Sequence, residues 1–210
     1  IIPLGIIPAG SANGMAKELG IATDINKALD IILNGEIKKI HIIRINSEIC
    51  IHLSDIGFNA FVVKKFETAP KRGMWEYIKA GWKVLKLNPL LSLTLELDDK
   101  TIKRKAAMVV IANATKYGTG IMINPEGSLE DALFEVIVVR KFSLKELFKM
   151  RFTHSLFDPE KTELFQTSSL TIRSRNMAHF QVDGEYLGKV NSIMANILPA
   201  ALEIIVPKAE

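Results

Sequence analysis

From Ile37 onward the chain is built from short β-branched or alternating runs, each ended by turn residues. Ile37 to Ile45 is rich in isoleucine and closes on Asn46-Ser47, and Glu48 to Leu53 reads as its hairpin partner. Leu91 to Leu97 alternates strictly and closes on Asp98-Asp99. Ala106 to Ala112 is apolar throughout, and Phe134 to Arg140 reads as another strand. Leu164 to Ile172, Ala178 to Val182, Tyr186 to Val190 and Leu202 to Val206 continue the series. A period of two buries one face of a strand, and many such strands spaced by turns predict a β-sandwich or a closed sheet. At 48% hydrophobic and 24% charged residues, the 210-residue chain has the composition to fold around a core.

The first 36 residues have a different texture. Ile1 to Ile7 reads as a buried strand, Pro8-Ala9-Gly10-Ser11 as a turn, and Asn13 onward as the start of a helix. Asp24 to Asn34 spaces Ile25, Ala28, Leu29 and Ile32 as one helical face, with Thr23 or Asp24 as cap and Gly35 as stop. This βα pattern predicts the tail of an α/β domain over 1–36 and a β-sandwich over 37–210. The chain starts inside an apolar strand without Met, so it is expected to be the C-terminal part of a larger protein. Two more helices are predicted, at Gly73 to Leu87 and from the capping box Ser143-Leu144-Lys145-Glu146.

The single cysteine, Cys50, excludes a disulfide framework and a cysteine-based zinc site, and suits a reducing cytoplasm. No apolar run reaches membrane-spanning length. A net charge of +4 suits phosphates, nucleotides or anionic lipid heads, and no nucleic-acid partner is expected. Lys64-Lys65, Lys71-Arg72 and Lys103-Arg104-Lys105 read first as solvated faces, with Lys71-Arg72 best placed for a membrane-surface contact. His41, His52, His154 and His179 lie in unrelated segments and read as structural.

Four segments could carry chemistry. In Pro8-Ala9-Gly10-Ser11-Ala12-Asn13, Gly10 admits close backbone approach, and Ser11 and Asn13 put short polar groups at a helix start. The same residues serve a phosphate site or a plain helix cap. In Gln181-Val182-Asp183-Gly184-Glu185-Tyr186 the Asp-Gly pair signals a hairpin turn. Asp183 and Glu185 could equally face a pocket, as a base on a hydroxyl or as ligands of a metal near phosphates. The acids and serine of Asn124 to Leu133 are either solvated or offer oxygens to a hard cation. The glycine-bearing loops Asp55 to Ala60 and Asn113 to Gly120 serve backbone geometry or line a cleft.

Taken in order, these segments resemble the diacylglycerol kinase catalytic superfamily, namely the bacterial soluble lipid kinases and their sphingosine and ceramide kinase relatives. The resemblance runs through Ile6 to Asn13, Gly57-Phe58-Asn59-Ala60, Lys71-Arg72-Gly73 with Tyr77, Asn113, Tyr117-Gly118-Thr119-Gly120, Pro125, Leu129 to Val136, and Asp183-Gly184-Glu185. It covers essentially the whole chain. It implies a two-domain fold of the NAD kinase/diacylglycerol kinase type, with the glycine-rich nucleotide loop of the α/β domain absent from this chain.

By that resemblance Gly10, Ser11 and Asn13 face the ATP phosphates, and Asp183 and Glu185 supply the base for a lipid hydroxyl. Ser128, Asp131 and the Leu133 carbonyl correspond to a structural Mg²⁺ site. Two departures stand out. Ser11 and Asn13-Gly14 replace the usual Thr and Asn-Asp, nearer the sphingosine kinase pattern, and Asp131-Ala132 replaces the usual Asp-Gly.

The reading that results is an ATP- and Mg²⁺-dependent lipid kinase. It would be cytoplasmic and meet a diacylglycerol or sphingoid substrate at a membrane surface, with a homodimer left open. These 210 residues alone are expected to be inactive. The alternatives are a kinase of a soluble alcohol such as NAD and a non-catalytic lipid-binding sandwich. A polar pocket would mark the first, an apolar groove the lipid kinase.

Overall fold

A computed structural model describes residues 2–10, 13–67, 90–115, 127–141 and 161–208. The helices expected at Gly73 to Leu87 and from Ser143, the Lys71-Arg72 pair, the 117–120 loop and Ser11 lie outside the described residues.

The described residues form three helices and ten strands: α1 (Gly14–Glu18), α2 (Ile25–Asn34), β1 (Glu36–Ile45), β2 (Glu48–Cys50), β3 (Leu53–Gly57), α3 (Phe58–Glu67), β4 (Leu91–Leu97), β5 (Thr101–Ala106), β6 (Met108–Ala112), β7 (Phe134–Val139), β8 (Thr162–Thr167), β9 (Ser169–Val182) and β10 (Glu185–Val206). α2 starts where expected, because the Asp24 carboxylate accepts the Lys27 N–H at 3.0 Å.

The strands follow the order β2-β1-β10-β9-β3-β6-β7-β8, all neighbours antiparallel. β9 is the branch point. Its first half, Leu170 to Ser174, takes β4 as a neighbour, and β5 follows β4. Its second half, Phe180 to Val182, takes β3 instead. Both branches contribute to one core, which joins Ile43 and Ile45 of β1, Leu93 and Leu95 of β4, Val109 and Ile111 of β6, Val136 and Val138 of β7, and Ile172 and Phe180 of β9. The architecture is mainly β and sandwich-like, as the alternation predicts.

Several boundaries differ from those read in the sequence, each for a tertiary reason. Tyr186 to Val190 and Leu202 to Val206 belong to a single 22-residue strand, β10. Pro199, Ala200 and Ala201 mimic a break, but they form a bulge opposite His41, with Ala200 at φ +47°. Ala178 to Val182 likewise extends β9. In contrast, Leu164 to Ile172 is cut at Ser168. The Asp98 carboxylate there accepts the Ser168 N–H at 2.7 Å and the Thr167 hydroxyl at 2.8 Å, and these bonds hold its pKa below the usual range.

Thr101 to Lys105, read in the sequence only as a basic cluster, is β5. Lys103 and Lys105 face out, while Arg104 joins Arg140 on the Glu163 carboxylate. The Asp55 end of the first glycine-bearing loop is strand, and α3 follows directly at Phe58. Gly57 makes that join possible: its φ is +115°, and a Cβ there would meet the Ala107 carbonyl at 2.5 Å.

The N-terminal segment is less buried than its sequence suggests. Leu4 pairs with Ile204 of β10 through two 2.9 Å hydrogen bonds, but Ile2 is 89% exposed and Leu4 49%. Ala16, Ile21 and Ala28 form their own small cluster, apart from the main core.

Candidate active site

The Asp-Gly pair forms the tight turn between β9 and β10, with Val182 opposite Glu185. Both turn residues are left-handed, Asp183 at φ +50° and Gly184 at φ +93°, the geometry that favours Asn or Asp followed by Gly. The Asp183 side chain does more than turn the chain. Its Oδ2 accepts the Ile51 N–H at 2.8 Å, and its Oδ1 accepts the His52 and Leu53 N–H groups, each at 3.0 Å. The Cys50 thiol adds a contact of 3.4 Å to Oδ1. Burial first, then the Asp183 carboxylate, push the thiol's pKa well up, so it remains a protonated donor.

These bonds explain why the predicted Glu48 to Leu53 strand is interrupted between β2 and β3. Residues 51 and 52 leave the ladder so that three successive N–H groups can converge on one carboxylate. Glu185, the first residue of β10, is exposed, and its carboxylate makes no contact among the described residues.

A chain of hydrogen bonds connects this turn with the other predicted segments. The His52 carbonyl accepts the N–H groups of Asn113 and Ala114. The neighbouring Thr115 hydroxyl donates to Glu18 of α1 at 2.8 Å. At the other end of α1, Asn13 sits left-handed at φ +50° and turns its Oδ1 onto the Gly10 N–H at 2.8 Å, so it makes no cap bond to the helix itself. Gly10 and Asn13 are thus brought together; Ser11 between them lies outside the described residues.

Asn113 is the hub of the third connection. Its Nδ2 donates to the Ile51 carbonyl at 2.8 Å and to the His41 carbonyl at 3.1 Å. The His41 N–H in turn donates to the Leu129 carbonyl at 2.9 Å, at the edge of the acidic loop. Within that loop Ser128 Oγ accepts the Glu130 N–H and Asp131 Oδ1 accepts the Leu133 N–H, each at 3.1 Å. Ala132 is left-handed at φ +60°, which accounts for a glycine preference at this position. The buried His41 ring has a lowered pKa, chiefly through desolvation and against the pull of Asp131, so it is held toward the neutral form. Among the described residues no group of three or more His, Cys, Asp or Glu side chains has metal-binding proximity.

A second polar group escaped the sequence reading. Asp55 of β3 is buried and lies opposite Gln181 of β9. It bonds Gln181 at 2.6 Å, Asn59 at 2.5 Å and the Ala60 N–H at 2.7 Å. Burial raises its pKa to about 6 against these three bonds. The sequence signal was an Asp and an Asn four residues apart at a strand-to-helix join, legible only once α3 is known to begin at Phe58.

The profile of the YegS C-terminal NAD kinase beta sandwich-like domain matches residues 54–206. That of the diacylglycerol kinase catalytic domain matches residues 1–45. The chain belongs to the diacylglycerol kinase catalytic superfamily. Among curated members, a diacylglycerol kinase of Staphylococcus saprophyticus is 28% identical over 211 residues, 97% of this chain and 68% of the relative. One from Staphylococcus aureus is 29% identical, covering 92% of this chain and 63% of the relative. A crystal structure of a diacylglycerol kinase from Bacillus anthracis shares the fold, with a TM-score of 0.71 at 19% identity, over 97% of this chain and 66% of that one. The chain thus spans about two thirds of the length of the superfamily members it matches. Among the described residues no helix is long and apolar enough to cross a membrane.

Proposed function

We propose that this chain carries the acceptor side of an ATP-dependent lipid kinase, with Asp183 and Glu185 as its catalytic carboxylates. The observation that carries the reading is the 183–185 turn: one carboxylate is clamped by three N–H groups while its neighbour two residues on stands exposed. The division of labour follows from lone pairs. Asp183 Oδ1 is saturated and Oδ2 keeps one lone-pair position, so Asp183 spends most of its accepting capacity on fixing the turn. Glu185 has both oxygens to offer and is the better base for a primary alcohol.

Residues 1–36 then belong with the nucleotide domain and 37–210 with the acceptor domain, and Ile6, Met15 and Leu19 of the first pack against Ile40, Ile204 and Val206 of the second. Gly10 and Asn13 stand at the start of α1, where the Asn13 Nδ2 keeps donors for a phosphate. The Asn13 Oδ1 is spent on Gly10, which leaves the first amides of α1 without its cap. The acidic loop fits a hard cation through oxygens alone: Asp131 Oδ2, the second lone pair of Ser128 Oγ and the Leu133 carbonyl. Mg²⁺ supplies charge neutralisation when bound. The chain's own part is to position the hydroxyl, accept its proton at Glu185 and hold the phosphates at the α1 turn. The acceptor lipid would be met at a membrane surface.

The test is a kinase assay of the full-length protein with labelled ATP and Mg²⁺, against diacylglycerol, monoacylglycerol, sphingosine, ceramide, phosphatidylglycerol and NAD. Label on a lipid, lost in folded Glu185→Gln, supports the reading. Label on NAD alone moves the acceptor to a soluble alcohol, and no label on any acceptor removes the phosphoryl-transfer reading.

A further inference from the structure

The turn that bears Asp183 and Glu185 is held from a second side by groups that the reading above does not use. Asp55 is 1% exposed, and the described neighbours that stabilise its charge are amides, with no cation among these described groups. Its Oδ2 receives two NH₂ groups, Asn59 Nδ2 at 2.5 Å and Gln181 Nε2 at 2.6 Å. Its Oδ1 receives the Ala60 N–H, an amide of the first turn of α3. An NH₂ pinned to a carboxylate oxygen cannot flip, so the Gln181 Oε1 must face the other way. There it accepts the Gly184 N–H, in the middle of the turn, at 2.7 Å. Ser54 Oγ donates to the Gln181 carbonyl at 2.6 Å and holds the backbone beneath.

An apolar cross-strand pair would fold at less cost than a buried carboxylate without a cation. Groups with perturbed titration cluster at functional sites, and this one adjoins the candidate turn.

We propose that Asp55 and Gln181 are positioning residues for the Asp183-Gly184-Glu185 turn, the Asp55 carboxylate fixing the Gln181 amide so that it holds the Gly184 N–H. The kinetic consequence rests on the phosphoryl-transfer reading; the effect on Gly184 rests on geometry alone. Asp55→Asn puts an NH₂ either against the Asn59 and Gln181 amides or against the Ala60 N–H, so the three donors no longer share one anchored carboxylate. Gln181→Met keeps the volume and removes the acceptor. The double variant Asp55→Asn/Gln181→Glu moves the carboxylate across the pair, where it can take both the new amide and the Gly184 N–H.

The experiment measures amide hydrogen exchange at Gly184 and steady-state kinetics in the full-length protein. In each single variant, Gly184 exchange should accelerate at least about tenfold while the Val110 and Ile137 amides of the core stay protected. The kcat should fall about 10- to 100-fold with the KM for ATP within about twofold, and the double variant should recover both readouts. Unchanged Gly184 exchange in folded Gln181→Met overturns the proposal, as does a loss of kcat that only tracks the loss of folded protein. If Asp55→Asn does not fold, Gln181→Met and the double variant decide. If the wild type transfers phosphate to no acceptor, the function reading fails, and Gly184 exchange alone decides the positioning.

Discussion

The 183–185 turn and the 128–133 loop both present carboxylates, yet they are held in opposite ways. Asp183 bonds backbone groups 130 to 132 positions away in sequence, and through Gln181 the turn also reaches Asp55, 126 positions from it. Ser128 and Asp131 bond amides two positions away. The first arrangement exists only in the folded sheet, so it is fixed in advance of any ligand. The second shapes its own loop, which is tied to β1 at its edge by the His41 N–H on the Leu129 carbonyl and by the Lys38–Glu130 ion pair. Pre-organisation of this kind separates a group that can act in a transition state from one that can only coordinate.

Asp183→Ala tests the turn most severely. It leaves three N–H donors without their acceptor and should destabilise the protein by about 1–3 kcal/mol. It should also abolish phosphoryl transfer, by about 10²–10⁴-fold in kcat. Asp183→Asn keeps one acceptor and should recover part of the stability, measured by urea unfolding. Glu185→Gln separates chemistry from structure: about 10²-fold or more off kcat, with Tm unmoved, because the Glu185 carboxylate has no described partner to lose.

The third test uses pH. The native Asp55 carboxyl titrates near 6 and its unfolded reference is 3.8, so the folded state holds the proton more tightly. Stability from this group is therefore present below about pH 4 and is lost as pH rises to about 6, a swing of roughly 3 kcal/mol. Asp98 and Glu163, whose pKa values are lowered by hydrogen bonds, slope the other way. The difference between wild type and Asp55→Asn across pH 4–7 in unfolding experiments isolates the Asp55 contribution, and a flat difference would show that the carboxylate is not buried in solution.

The loop should respond least. Asp131→Asn is expected to change stability by less than about 0.5 kcal/mol without divalent cation, the usual range for a surface change. A Mg²⁺-dependent rise in Tm that the variant loses would assign the ion to this loop. Ala132→Gly should stabilise by about 0.5–1 kcal/mol, since the left-handed backbone at this residue costs an L side chain and not glycine.

Much of this was legible in the residues. Isoleucine richness placed β1, leucine alternation placed β4, Asp24 and Gly35 bounded α2, and the Asp183-Gly184 pair placed the β9–β10 turn. These signals are local, and local physics sets them: strand pleat, helix cap, positive φ. The misses share a different cause. Tyr186 to Val190 and Leu202 to Val206 read as two strands but are one, with Pro199 in a bulge opposite His41. Leu164 to Ile172 reads as one strand, but Asp98 cuts it at Ser168 from 70 positions away. Ile1 to Ile7 reads as buried, though only its Leu4 backbone is secured.

By itself, then, the sequence determined a mainly β chain with an α/β start, its superfamily, and the residue types available for phosphates and proton transfer. Tertiary structure alone decided which carboxylate is clamped and which is exposed. It also decided that Asn113 and His52 join the three segments, and that Asp55 stands behind the turn. The reason is physical: residue type and spacing encode backbone preference over a few positions, whereas the hydrogen bonds that fix a side chain at this site come from strands more than 100 residues apart.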